Sequence, residues 1–375
     1  MKYRLYYFTG TGNTARAVGI IQSSLEQAGH QLHTELITPH TAPPDPGSYD
    51  VLLLSFPTYA WAPPVLVQKY IRRLKGGQAA GTRFRSRQGS RTKAAVCVID
   101  GGGSFQCADQ SRRMLQRRGF DVVLTSRAGY ADNWRQMTNP PSQESGRKEN
   151  PTGDAQVREF VRQLLQEDRA HYHVGLGHTL WSRAVAWLFK WIGRPLMATF
   201  YTSDNDCTSC NLCAEACPVG AIRMKPAVRT AAGAHARTNS GKKLLQRKVP
   251  RWQLSCESCN RCINICPVSA INTSITRIGM AIVLASGSIW VLFFSWDALL
   301  SGLSSGATGF PGSGLLFTLV KIGLVIGGQW IGAALMGLVT PWAEKIPPLR
   351  RLMLTCFNKR FNHYTAEGFK ARQHV

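Results

Sequence analysis

Acidic residues are scarce. The chain of 375 residues has 21 Asp and Glu against 45 Lys and Arg, a formal net charge of +24, so nucleic acid, an anionic membrane surface or an acidic protein are the natural counterparts. No RNP, zinc-finger or helix-turn-helix pattern accompanies the charge, which argues against nucleic acid. No G-x-S-x-G or H-E-x-x-H occurs, so hydrolase mechanisms lose their usual signatures. Nothing resembles a signal peptide, and a secreted disulfide framework is not expected. Hydrophobic content, at 44%, is ordinary, and the length suggests two to three units.

Cysteine, by contrast, is organised. Eight of the 11 cysteines form two copies of C-x2-C-x2-C-x3-C-P: Cys207, Cys210, Cys213, Cys217 with Pro218, and Cys256, Cys259, Cys262, Cys266 with Pro267. This is the run of bacterial two-cluster ferredoxins, and it predicts an α+β domain with two 4Fe-4S clusters. Three cysteines at steps of three wrap one cube while the fourth turns to the other cube. Crossed ligation follows, with Cys207, Cys210, Cys213 and Cys266 around one cluster and Cys256, Cys259, Cys262 and Cys217 around the other. Zinc ribbons usually set two CxxC pairs far apart and fit this spacing poorly. Of the other cysteines, Cys97 and Cys107 read as buried hydrophobes, and Cys356 follows the membrane segment, where palmitoylation is conceivable. His171 and His173 read as surface residues.

Residues 1–168 alternate strand and helix signals: strands near 2–8, 31–37, 51–56, 93–100 and 121–127, helices near 15–28, 63–74, 105–118 and 154–166. Five strands with interposed helices predict a flavodoxin-like, doubly wound parallel sheet. The loop Thr9, Gly10, Thr11, Gly12, Asn13, Thr14 follows the first strand and opens the first helix. It is neither Walker A nor G-x-G-x-x-G, but offers backbone N–H groups, three hydroxyls and an amide to a phosphate dianion. It resembles the flavodoxin loop that holds the FMN phosphate. Two further strand-end loops support a flavin: Thr58, Tyr59 and Trp61 for ring stacking, and Gly101, Gly102 and Gly103 for close backbone approach. Tyr130, Asn133 and Trp134 are candidates to close the pocket.

Residues 169–203 form an amphipathic connector, read either as an interfacial helix or as a helix docking one domain on the other. Residues 204–275 are the cluster domain, with a basic insertion at 223–251 that has nine Lys or Arg and no Asp or Glu. It reads as a solvated loop, with an acidic partner or anionic headgroups as its functional alternatives. Residues 276–344 contain two uncharged runs, 278–296 and 322–343, each long enough to cross a bilayer. Basic residues flank the pair on both outer sides and are absent from the loop 297–314, so a transmembrane hairpin is expected in the cytoplasmic membrane, with soluble domains and both termini on the cytoplasmic side. Lys321 would snorkel at the far interface. Gly323, Gly327, Gly328 and Gly332 suit packing against the first helix or a homo-oligomer seam. Residues 345–375 read as a basic cytoplasmic tail.

The loop at residues 9–14, the Pro57–Pro64 segment, Asn133 and the two cysteine runs together resemble the EFR1-family ferrodoxins, a flavodoxin-like domain fused to a two-cluster ferredoxin. The resemblance covers about residues 1–275 and implies FMN and two 4Fe-4S clusters on one chain. The basic insertion and the hairpin depart from it and put the partner in doubt. The expected function is a membrane-anchored electron carrier serving a redox protein or a quinone-linked membrane partner. A flavin-dependent reductase acting on a small oxidant or quinone, and a non-catalytic redox sensor or assembly component, are the alternatives. No catalytic acid or base can be assigned.

Overall fold

The computed structural model describes residues 1–76, 91–227, 248–304 and 314–375. The centre of the basic insertion and the tip of the hairpin lie outside the described residues. Six parallel strands form one sheet in the order β2-β1-β3-β4-β5-β6: β1 Lys2–Tyr7, β2 Gln31–Leu36, β3 Val51–Pro57, β4 Lys93–Asp100, β5 Asp121–Gly129 and β6 Ala170–His171. The first five strands follow the flavodoxin order, and His171 adds an edge strand that the sequence did not announce. Along β3, alternate residues feed opposite cores. Leu52, Leu54 and Phe56 pack toward α2 (Val65–Arg73) and α3 (Cys107–Arg117), while Val51 and Leu53 pack toward α1 (Asn13–Gln27) and α4 (Gln143–Leu165). Both faces of the sheet are covered, which is why this strand is one unbroken apolar run.

The last helix of this domain is longer than the expected 154–166. α4 starts at Gln143, where Ser142 Oγ accepts from Ser145 N at 3.1 Å, and it carries Pro151 in its interior. Pro151 and two glycines conceal its first half from a periodicity reading. The glycines are spacers: a Cβ on Gly146 would lie 2.2 Å from the Tyr364 ring, and one on Gly153 would lie 2.4 Å from the carbonyl of Gly129.

The connector is helical, α5 Leu176–Leu188 and α6 Arg194–Phe200 joined through a π-turn at Phe189–Gly193. In the cluster domain, β7 Tyr201–Ser203 pairs antiparallel with β10 Ile271–Thr273. β8 Ile222–Pro226 pairs antiparallel with β9 Lys248–Trp252, so the ends of the basic insertion are strands rather than loop. Short helices α7 (Leu212–Glu215) and α8 (Arg261–Asn264) carry the third cysteine of each triplet, Cys213 and Cys262.

Two helices at the C-terminal end, α9 Ile275–Ser304 and α10 Gly314–Ala343, are long and apolar enough to cross a membrane. They extend beyond the expected runs into residues assigned to the connecting loop, and Lys321 lies within α10 rather than at its end. Gly328 and Gly332 serve packing inside the chain: Cβ atoms there would come within 2.9 Å of the Ile289 backbone and 2.6 Å of the Ala285 backbone. Gly323 has open space around it. At the base of the pair, Glu344 accepts from Arg251 and Arg277, and Arg277 Nη1 donates to the Tyr201 carbonyl at 2.7 Å.

Residues 345–375 are not a free tail. After α11 (Pro347–Met353) the chain returns to the N-terminal domain, burying Asn358, Tyr364 and Ala366. Arg135, fully buried, donates to the carbonyls of Lys359, Phe361, Asn362 and Ile271. Cys356 bridges Ser274, and burial, then Asp204, pushes its thiol up to about 11.

The glycine geometry yields a paired expectation. Gly153→Ala should cost about 1–3 kcal/mol through overpacking, whereas Gly19→Ala, on an open helix surface, should stabilise by about 0.5–1 kcal/mol. Denaturant unfolding of both variants checks it, and equal effects would contradict the packing account.

Candidate functional site

Four loops at the carboxyl ends of β1, β3, β4 and β5 converge on a cavity of about 540 Å³. Thr9, Gly10, Thr11, Asn13, Thr14, Thr58, Tyr59, Trp61, Gly101, Gly102 and Gly103 all line it. Gly12 does not. It caps α1 at φ 109°, and a Cβ there would meet Ala366 and Phe369 of the returning C-terminal segment at 2.8 Å. Tyr130 is buried against Asp154 instead of closing the cavity, whereas Asn133 and Trp134 reach it. Cys97 and Cys107 are buried, as expected of small core residues.

The phosphate-type loop is gripped from its carbonyl side. The Thr9 and Gly10 carbonyls accept from Arg261 at 2.6 and 2.7 Å, and the Thr11 carbonyl accepts from Ala366 N at 2.8 Å. The first-turn N–H groups of α1 have no intrahelical acceptors. Asn13 is less available than the sequence suggests: its Nδ2 donates to the Ala131 carbonyl at 2.9 Å and its Oδ1 accepts from Tyr364. Asn133 Nδ2 donates to Thr11 Oγ1.

Around the ring end of the cavity, non-glycine backbone sits in the left-handed region at Ala60 (φ 46°), Trp61 (φ 62°) and Phe105 (φ 42°). Such strain persists only where its surroundings over-determine it. Here the Trp61 and Phe105 rings pack at 4.5 Å, and Gln106 Nε2 donates to the Trp61 carbonyl at 3.0 Å. Asp100 accepts from the N–H groups of Gly102 and Gly103 and from Arg127, fixing the glycine loop. Tyr59 and Ser258 line the cavity, and their buried hydroxyls have no hydrogen-bond partner among the described residues. Orphaned donors in a built cavity fit a polar aromatic ligand with a phosphate arm.

Five lining residues come from segments that the sequence did not connect with the flavin. Val185, Phe189 and Met197 come from the connector, and Ser258 and Asn260 from between the second set of cysteines. The connector thus walls the cavity with one side while Leu176, Leu180, Trp181, Trp187 and Trp191 stay exposed.

Each cysteine triplet repeats one backbone. Ser209 and Asn211 have φ 63° and 65°, and Ser258 and Asn260 have φ 55° and 56°. Cys207, Cys210, Cys213 and Cys266 line one small cavity. The Cys217 sulfur lies instead in the electrostatic field of Cys256 and Cys259. Backbone N–H groups of Ala221, Ala270 and Ser258 donate to the sulfurs of Cys217, Cys266 and Cys256 at 3.2, 3.3 and 3.4 Å. Among the described residues no three His, Cys, Asp or Glu side chains converge tightly enough for a single metal ion. Thiolates around a cube stand farther apart than those of zinc, whose sulfur bonds are ~2.3 Å.

Residues 206–270 match the family model described as a 4Fe-4S dicluster domain. No curated protein matches the chain. Among solved structures, the chain is similar to the two-electron reduced flavodoxin of Megasphaera elsdenii, at 22% identity over 33% of this chain and 84% of that one, TM-score 0.27. It is also similar to flavodoxin 1 of Bacillus cereus, at 17% identity over 43% and 98%, TM-score 0.27. A third is general stress protein 14 of Treponema denticola in complex with FMN, at 14% identity over 45% and 100%, TM-score 0.30.

Two outcomes follow from this geometry. Arg261→Leu strands several buried carbonyls at about 1–3 kcal/mol each, so it should lower stability by more than any single surface substitution in a denaturant titration. The second concerns His363 and His374 of the returning segment, both held below the usual histidine value of 6.5 by burial, then by Arg135 and Arg261 respectively. Because the unfolded chain binds more protons there, stability is present at neutral pH and is lost as pH falls through 6.5 toward the lowered folded values. Limited proteolysis from pH 7.5 to 5.5 should show progressive release of the C-terminal segment, and a flat profile would contradict it.

Proposed function

We propose that the chain is a membrane-anchored electron-transfer protein holding FMN in the strand-end cavity and two 4Fe-4S clusters on the cysteine runs. The observation that carries this reading is the contact between the two sites. A Cβ on Gly10, in the phosphate-type loop, would lie 3.0 Å from the carbonyl of Cys259, and Ser258 and Asn260 form part of the flavin cavity. When bound, FMN exchanges two electrons and each cluster one, so their union converts between two-electron and one-electron partners.

The residues then have distinct tasks. Thr9, Thr11 and Thr14, all buried, and the α1 N-terminus hold a phosphate monoester without a direct cation. Trp61 and Tyr59 border the ring, and the connector excludes water from it. N–H···S bonds to Cys217, Cys256 and Cys266 stabilise thiolate charge and tune potential. Cys207, Cys210, Cys213 and Cys266 would ligate one cluster, and Cys256, Cys259, Cys262 and Cys217 the other.

The hairpin supports membrane anchoring, and the basic residues on its outer flanks support a cytoplasmic placement of both soluble parts. The exposed Leu and Trp side chains of α5 suit contact with the membrane interface.

Anaerobically purified protein should contain FMN and two four-iron clusters by absorbance, metal analysis and paramagnetic resonance. Cys217→Ser should selectively damage the cluster whose other ligands are Cys256, Cys259 and Cys262. Intact material lacking both flavin and iron would sink the proposal.

A further inference from the structure

A second cavity, of about 600 Å³, lies between the cluster domain and the membrane hairpin. One wall is α10, which contributes Ala333, Ala334, Gly337 and Leu338. Opposite stands Trp252, backed by the buried Tyr201, whose ring stacks on it at 5.0 Å with an interplanar angle of 24°. Arg223, Lys225 and Lys345 add exposed cationic groups, and among the described residues no Asp or Glu lines the space. Arg251 and Arg277 also border it but are occupied by Glu344.

Trp252 joins this cavity to the redox site. Its indole N–H donates to Cys262 Sγ at 3.4 Å, so a single side chain touches both a cluster cysteine and the cavity. We infer that the cavity binds a membrane quinone, its head group against the Trp252–Tyr201 pair and its prenyl tail along α10, and that electrons are exchanged there. The inference rests on the electron-transfer reading above. Reduction would take two electrons, passed one at a time from the reduced cluster beside Cys262, and two protons from water among Arg223 and Lys225. Both quinone carbonyls would become hydroxyls, the cluster being reduced again between the two electrons from the flavin side of the proposed carrier, and no bond to the protein forms.

Chemistry separates this occupant from a phospholipid. A flat, neutral ring with two carbonyl acceptors matches an aromatic wall edged by donors, and the nearby cations stabilise negative charge arriving on its oxygens. A lipid phosphate would use the cations but gain nothing from an aromatic pair bonded to a cluster cysteine.

The test uses the full chain, anaerobic, in phosphatidylcholine nanodiscs, with an azido-substituted prenylated benzoquinone as photolabel. Label is expected on peptides containing Trp252 or Gly337 and should be displaced by unlabelled quinone. Gly337→Phe fills open space, since a Cβ there meets nothing within 4 Å. It should weaken quinone binding by about tenfold or more with iron content and paramagnetic resonance unchanged. Ala334→Trp obstructs the same space if the first variant fails to insert. Labelling indifferent to both substitutions, or displaced by phosphatidylglycerol and not by quinone, would overturn the inference. Iron and flavin counts on the same sample keep the two readings apart: fully loaded protein that takes no specific label refutes the quinone site alone.

Discussion

A guanidinium removed from water needs an acceptor for its N–H groups, and Arg261, only 1% exposed, finds them on backbone carbonyls alone. Thr9 and Gly10 come from the phosphate-type loop, Ala216 from the end of α7, and His374 from the penultimate position of the chain. An ion pair would have tied Arg261 to one place. Carbonyls on three distant segments instead oblige the N-terminal domain, the cluster domain and the C-terminus to assemble around one side chain, because leaving it unpaired is costly. Burial lowers its pKa while the Cys259 sulfur beside it favours the charged form. A cation so placed offsets thiolate charge at the adjacent cluster and helps set its potential.

The rest of the second cysteine run follows the same pattern. Glu257 accepts from Val65 N and Leu66 N at the start of α2, Asn260 Oδ1 accepts from Gln136 N, and Asn264 Nδ2 donates to the Asn133 carbonyl. The first run is tied more superficially: Ser209 donates to the Lys248 carbonyl, Asn211 donates to Glu215, and Glu215 pairs with Arg372 at an exposed edge. Cys256, Cys259 and Cys262 are accordingly buried, whereas Cys210 is exposed. In the proposed carrier, one cluster faces inward between the flavin cavity and the membrane-side cavity. The other has an outer edge accessible to a soluble partner, so electrons have separate points of entry and exit.

What was legible in the sequence is what is local. Cysteine spacing, the Thr-Gly loop and the strand-end aromatics depend on neighbours a few residues away, and the structure gathers those loops around one cavity. The asymmetry between the runs was also present: Glu257 and Arg261 stand where the first run has Thr208 and Leu212, and charges between ligand cysteines call for partners. Their partners could not be read, since Gly10 and Cys259 are 249 positions apart. Arg135 and Arg261 look like any of 45 basic residues until burial distinguishes them. The C-terminal segment misled for the same reason, because Lys and Arg on its exposed side mask Asn358, Tyr364 and Ala366 on its buried side.

That returning segment constrains the membrane arrangement more tightly than charge does. Residues 358–374 pack on Arg135, on Gly12 and on Arg261 only after the chain has passed through both α9 and α10. If the hairpin spans a bilayer, it must therefore bring the chain back to the side from which it left. A single crossing would pull the Ala366 N–H off the Thr11 carbonyl and take the His374 carbonyl away from Arg261. The ion cluster of Arg251, Glu344 and Arg277 ties the start of α9 to the end of α10 at the same level. Two apolar helices of equal length are thus closed at the base by charge and tied by a strap to the redox domain. The basic flanks then decide only which face of the membrane that base occupies.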